Sequence, residues 1–194
     1  MKNIMPRSVR YAALLFSCIT LSCNTALAAE RSNAPEMTNI SKTDVETNTL
    51  MNINAINLMN PEPGVYTSGQ PSKEELQAMA DAGIKHIINL RPDSEMDWDE
   101  QQFVESQGMT YSVLPIASAA DLNTDNAAAL DQLLKNSNGE PTLVHCASGN
   151  RIGAVIAVRE GKLNNVGVEQ AVETGKQWGL TKMEPHVREV LSAP

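Results

Sequence analysis

One cysteine and one arginine stand five positions apart in the run Val144-His145-Cys146-Ala147-Ser148-Gly149-Asn150-Arg151-Ile152-Gly153. The small residues between them let the backbone curl so that successive N–H groups point inward, forming a nest for an anion. An apolar run precedes the cysteine and another follows the arginine, so the nest is backed by the N-terminus of a helix. Arg151 adds a planar, permanently charged fork suited to a tetrahedral oxyanion. The same positive field favours thiolate over thiol at Cys146 and makes it a nucleophile near neutral pH. The pattern describes a site that binds an anion and attacks it. Ala147, Ser148, Gly149 and Asn150 form the cradle, and Arg151 closes it. The bland alternative is an ordinary strand-to-helix turn with an incidental cysteine.

The rest of the chain sets where such a site would work. Lys2, Arg7 and Arg10 precede an apolar run over 11–21, and Ala26-Leu27-Ala28 offers small residues at the positions a signal peptidase reads. Residues 1–28 are therefore expected to be a secretory signal peptide, and the protein to be periplasmic or secreted. Lipidation at Cys23 is the weaker reading, because Thr20-Leu21-Ser22 is a poor approach sequence. Cleavage would remove Cys18 and Cys23 and leave Cys146 as the lone thiol, which excludes an intramolecular disulfide. The full chain carries 15 basic and 23 acidic residues; losing three basic ones with the signal peptide takes the net charge from −8 to −11. That balance, with few aromatics, argues against nucleic acid as a partner. It requires any anionic substrate to be met by a local positive site. No stretch reaches the length of a transmembrane helix. With three histidines and no metal-ligand spacing, neither a metal nor another cofactor is expected. The sequence is silent on oligomeric state.

Residues 29–58 are polar and rich in Asn, Thr and Ser, and read as a flexible leader, with Met51, Ile53, Ile56 and Leu58 able to dock on the domain. Residues 59–194 read as one α/β domain. Strand-like runs at 65–68, 84–90, 109–116 and 142–146 alternate with helical patterns at 73–82, 97–107, 124–134, 151–159 and 168–178, and a further turn or helix fits 185–191. This alternation implies a mainly parallel central sheet covered by helices on both faces. The loop at 146–151 then lies between the C-terminal end of a central strand and a buried helix, where open α/β sheets bind ligands.

Four motifs, in order, carry a family resemblance: "VYTSGQPS" at 65–72, "INLRPD" at 88–93, "LPI" at 114–116 and "HCASGNRIG" at 145–153. Together they resemble the phosphatase-like domain of beta-lactamase hydrolase-like proteins, a branch of the dual-specificity protein tyrosine phosphatase fold, over about 59–180. The resemblance implies that Cys146 is a nucleophile forming a covalent intermediate, Arg151 an oxyanion clamp and residues 147–150 the backbone cradle for a small phosphorylated substrate. It also implies a general acid on the loop before the third helix. Asp121 is the candidate, while Asp125 suits a first-turn helix acid.

Two features depart from the usual phosphatase pattern. Four residues, not five, separate Cys146 from Arg151, a spacing that resembles the six-residue loop of rhodanese sulfurtransferases, and Ile152 stands where phosphatases commonly carry Ser or Thr. A sulfurtransferase or persulfide carrier is therefore the alternative, and a weakly catalytic anion-binding module the third reading. Of the remaining polar residues, His145 is read as a core histidine ordering the loop, and His86 and His186 as isolated. Asp93, Glu95, Asp97, Asp99 and Glu100 are read as a solvated loop and helix start. Arg91 is left between facing the site and pairing with that acidic cluster. Gln70, in a chain-turning Ser68-Gly69-Gln70, has substrate contact as its lesser role.

Overall fold

A computed structural model describes residues 42–193, with side chains from residue 47 onward. The expected signal peptide and the first part of the leader lie outside the described residues. Five strands, β1 (Met59–Glu62), β2 (Val65–Ser68), β3 (His86–Asn89), β4 (Thr110–Val113) and β5 (Thr142–His145), form one sheet in the order β1-β2-β5-β3-β4. Pairing is parallel from β2 through β5 and β3 to β4, and only β1 runs antiparallel. The α/β class with a mostly parallel sheet, expected from the alternating pattern, is what the chain adopts. The short edge strand β1, which contains Pro61, had no signal in the sequence; its proline suits an edge, where a missing N–H disturbs no inner ladder.

The helices are α1 (Lys42–Met51), α2 (Lys73–Asp81), α3 (Glu100–Ser106), α4 (Thr124–Asn136), α5 (Asn150–Val158), α6 (Val168–Gln177) and α7 (Glu184–Ser192). Ser72 opens α2 with a reciprocal capping box: its hydroxyl accepts from the Glu75 amide at 3.2 Å and its amide donates to Glu75 Oε2 at 2.8 Å. Alternation along β5 divides the core. Val144 and Cys146 pack with Ile88, Ile116 and Ile152 on one face, while Leu143 packs with Tyr66, Leu76 and Ile87 on the other. Every residue of β5 is buried, as a central parallel strand requires. Residues 152–158 of α5 are also all buried, so this helix is apolar all round because it is enclosed.

Close helix packing fixes where α5 begins. A Cβ at Gly153 would collide with backbone atoms of Gly175 and Leu180, and one at Gly175 would lie 2.6 Å from Gly153 O, so the two glycines let α5 and α6 touch backbone to backbone. In the described part of the expected leader over 29–58, Ile53 and Leu58 dock on the domain as their apolar character suggests, whereas Met51 and Ile56 stay exposed and a helix forms that the polar composition did not signal. Residues 42–51 are helical, Leu50 is buried among Tyr66, Leu76 and Met79, and Ile53 and Leu58 pack against the same cluster. Apolar residues at 50, 53 and 58 supply enough burial to order a segment whose composition is otherwise polar.

Candidate active site

The Cys loop, residues 146–151, leaves the end of β5 and turns into α5. The turn depends on Gly149, whose φ of +86° lies in the left-handed region, where a side chain is strained. This conformation brings the Gly149 amide to 3.1 Å from Cys146 Sγ, toward which it donates. Cys146 itself is 1% exposed, and its own amide donates to Ser68 O at 3.3 Å. Neighbouring backbone holds the rest of the loop: Gln70 N donates to Ala147 O at 3.3 Å, and Asn57 Nδ2 to Ser148 O at 2.9 Å. Ala147 and Ser148 are exposed at its mouth. Asn150 turns its side chain away, and its Oδ1 accepts from Thr181 N at 2.8 Å, Thr181 Oγ1 at 3.1 Å and Met183 N at 3.3 Å. Asn150 is therefore a tie between the loop and the α6–α7 connection.

Arg151, in the first turn of α5, presents the two ends of its guanidinium differently. Nη2 donates to both oxygens of Glu95, at 2.8 and 2.7 Å. Nη1 is buried and has no hydrogen-bond partner among the described residues. An unsatisfied buried donor on a charged group costs a few kcal/mol.

Glu95, which the sequence pattern assigns to a solvated cluster, is instead tied to Arg151. Besides Arg151 it binds Arg91, whose Nε reaches Glu95 Oε2 at 3.3 Å and whose Nη2 donates to the Glu95 carbonyl. Burial alone would raise the Glu95 carboxyl, but Arg151 and then Arg91 outweigh it and hold the group below the usual carboxylate range. The spacing of Arg91 and Glu95 was legible; the partner that matters, Arg151, is 56 residues away.

The other half of the cluster is a buried network behind the loop. Arg91 Nη1 donates to Gln70 Oε1 at 2.6 Å, and Gln70 Nε2 to Glu100 Oε1 at 2.6 Å. Glu100, 2% exposed, also accepts from Tyr111 Oη at 2.8 Å and Asn89 Nδ2 at 3.1 Å. His145 Nε2 lies 3.2 Å from Glu100 Oε2, within ion-pair distance but off the line of a hydrogen bond. Burial pushes the Glu100 carboxyl up, while His145, Tyr111 and Gln70 bring it below its ordinary value; burial also raises Tyr111. His145 is a fully buried histidine beside Glu100, a core position as expected from its place before Cys146. Glu100 is not solvated, and Arg91 takes the second role considered for it, pairing with Glu95 of the acidic cluster and reaching Glu100 through Gln70.

Asp121 is not brought into this network. It ends a single turn, Ala119–Asp121, beyond β4, and its Oδ2 accepts from Ala117 N at 3.0 Å, Ser118 N at 2.8 Å and Ser118 Oγ at 3.2 Å. The aspartate caps its own turn. Leu122 next to it packs in the same core cluster as Cys146, so the turn belongs to the Cys146 side of the sheet. Ile152 is fully buried in that cluster and brings no hydroxyl to the sulfur. Among the described residues no group of three His, Cys, Asp or Glu side chains could hold a metal ion, and no helix is long and apolar enough to cross a membrane.

Residues 54–184, which span the sheet, the Cys loop and the Arg151–Glu95 pair, match the family described as "Swiss Army Knife protein, DSP-PTPase phosphatase domain". The chain belongs to this family. Its domain is a phosphatase-like hydrolase domain of the protein tyrosine phosphatase fold. Among curated proteins it is similar to the beta-lactamase hydrolase-like protein of Xylella fastidiosa, at 33% identity over 98 residues, covering 48% of this chain and 22% of that protein. The chain thus spans about a quarter of the length of the curated relatives it matches. Among solved structures, a DUF442 protein of Shewanella putrefaciens CN-32, provisionally named a phosphatase, is 25% identical with a TM-score of 0.55, covering 75% of this chain and 95% of that one. Kinase associated phosphatase shares the fold, with a TM-score of 0.53 at 17% identity over 71% of this chain and 91% of that one.

Proposed function

We propose that this chain is an exported phosphomonoesterase working through a thiophosphate intermediate on Cys146. The observation that carries the reading is one short loop that holds both Cys146 Sγ, approached by the Gly149 amide, and an Arg151 guanidinium whose Nη1 is buried and has no partner among the described residues. Loop amides and Nη1 bind the phosphoryl oxygens. The thiolate attacks phosphorus, an S–P bond forms, the ester P–O bond breaks, and Asp121 gives its proton to the departing oxygen. Water then attacks phosphorus, its proton returns to Asp121, and the S–P bond breaks to release inorganic phosphate and the thiolate. Glu95 and Arg91 hold Arg151 at the correct angle and act through it. The residues at 1–28 supply the export reading, and mass spectrometry of the protein recovered from the periplasm tests it: a start at Ala29 supports export, an intact or lipidated N-terminus refutes it.

The four-residue interval between Cys146 and Arg151 and the absence of a hydroxyl at Ile152 favour one second reading, a sulfurtransferase that carries a persulfide on Cys146. A paired assay separates the two. Aryl phosphates should release phosphate slowly, and Cys146→Ser should abolish release; thiosulfate should leave no sulfur on the cysteine. A cyanide-labile sulfur adduct without phosphate release would establish the sulfurtransferase instead. Silence in both assays with Arg151-dependent vanadate binding would make this an anion-binding module.

A further inference from the structure

Beside the Cys loop lies a cleft of about 480 Å³ whose lining includes Asn57, Met59, Ser148, Lys176, Leu180 and Lys182. Ser148 belongs to the anion cradle, so the cleft adjoins the place where a bound phosphoryl group would sit. Both of its walls are fastened to the Cys loop itself. On one side Asn57 donates to Ser148 O at 2.9 Å, and the preceding Ile56 carbonyl accepts from Gly69 N at 2.6 Å. On the other, the three hydrogen bonds to Asn150 Oδ1 pin Thr181 and Met183, which bracket Lys182. The lysine backbone is thus set relative to the cradle rather than carried on a loose loop.

The charge of this wall is unusual for the chain. In a protein of net charge −8, two lysines line one cleft next to an anion cradle. Lys182 is exposed and has no ion-pair partner among the described residues. Lys176 lies 3.1 Å from Glu184, but that carboxylate is shared with Arg188 at 2.9 Å, and the lysine side chain remains 44% exposed. Met59 and the largely buried Leu180 add apolar lining to the cleft. A low-dielectric wall with one sign of charge concentrates the field toward a complementary anion.

We infer that this cleft is a second anion subsite, which makes the substrate of the Cys146 site a phosphomonoester whose leaving group carries a further phosphate or carboxylate on a short carbon frame. The inference rests on the phosphomonoesterase reading of Cys146. The phosphoryl group to be transferred occupies the cradle, the carbon frame lies along Met59 and Leu180, and the second anion meets Lys176 and Lys182.

The test compares KM for phenyl phosphate, carboxyphenyl phosphate and phenylene bisphosphate in the mature protein and in Lys176→Met, Lys182→Met and the double variant. The wild type should prefer the two-anion probes, and each lysine removed should shrink the KM ratio by about 1.5- to 5-fold, the range of an exposed charge contact. The carboxylate and bisphosphate probes together identify which anion is taken. A ratio near one in the wild type, or a ratio that ignores both lysines, overturns the subsite. A binding arm keeps the two claims apart: Cys146→Ser protein is titrated with orthophosphate and with methylenebisphosphonate. Lysine-dependent preference for the bisphosphonate, with no aryl phosphate turnover by the wild type, sinks the phosphomonoesterase and upholds the subsite. Turnover without that preference sinks the subsite alone.

Discussion

Replacing Glu95 by glutamine keeps the shape of the side chain and removes the charge that holds Arg151. The carboxylate accepts twice from Arg151 Nη2, at 2.8 and 2.7 Å, and once from Arg91 Nε at 3.3 Å. Glutamine retains one acceptor oxygen and turns an NH2 group toward a cation. A hydrogen bond to a charged group contributes about 1.5–3 kcal/mol. Because the Glu95 side chain is 29% exposed, screening reduces the net loss to about 1–2 kcal/mol. If Arg151 must be held for the transferring phosphoryl group, that loss appears as a fall in kcat/KM of roughly 5- to 30-fold. Arg91 remains tied to Gln70 Oε1 at 2.6 Å, so the fold should survive. Steady-state kinetics with an aryl phosphate, alongside a melting curve, measure both quantities. An unchanged or increased kcat/KM would refute the reasoning, for it would mean that Glu95 competes with substrate for Arg151.

Gly153→Ala should destabilise the domain by about 3 kcal/mol, at the upper end of overpacking costs, because the new methyl meets the backbone of Leu180 and Gly175; a wild-type urea midpoint would show that α5 and α6 can separate freely. Asp121→Asn should slow hydrolysis most for esters with poor leaving groups while sparing the melting temperature, since the asparagine oxygen can still accept from Ala117 N and Ser118 N. Equal slowing for good and poor leaving groups would assign Asp121 to the turn alone. The Glu95 carboxyl lies below its ordinary value when folded, so its contribution is complete above the unfolded value of about 4.3 and is lost as pH falls through the lower folded one. Melting temperature should therefore drop with acid across that window, and less steeply in Glu95→Gln; parallel curves would contradict the assignment.

The parallel sheet was legible because strand-like runs such as the one around Leu143 and Val144 alternate with helical patterns, and because capping signals such as Ser72 with Glu75 mark local events that need no distant partner. The Cys loop was legible for the same reason: Cys146, Gly149 and Arg151 are near neighbours, and their joint types imply a nest. What stayed hidden depends on chain closure. Glu95 looked like one acid among several until folding set it against Arg151, and Glu100 looked solvated although His145, Tyr111, Asn89 and Gln70 surround it. Neither arrangement leaves a periodic trace. Helix α1 was hidden for a different reason. Its composition is polar, and it contributes to the core chiefly through Leu50.

Acid-quenched turnover followed by mass spectrometry of the Cys146 peptide tests the central claim most directly. Protein mixed with an aryl phosphate and stopped within the first turnovers should carry one phosphoryl-mass adduct on Cys146. That adduct should be absent from Cys146→Ser and strongly reduced in Arg151→Ala. Phosphate release with an unmodified cysteine, or a sulfur adduct formed from thiosulfate in its place, would contradict the thiophosphate account.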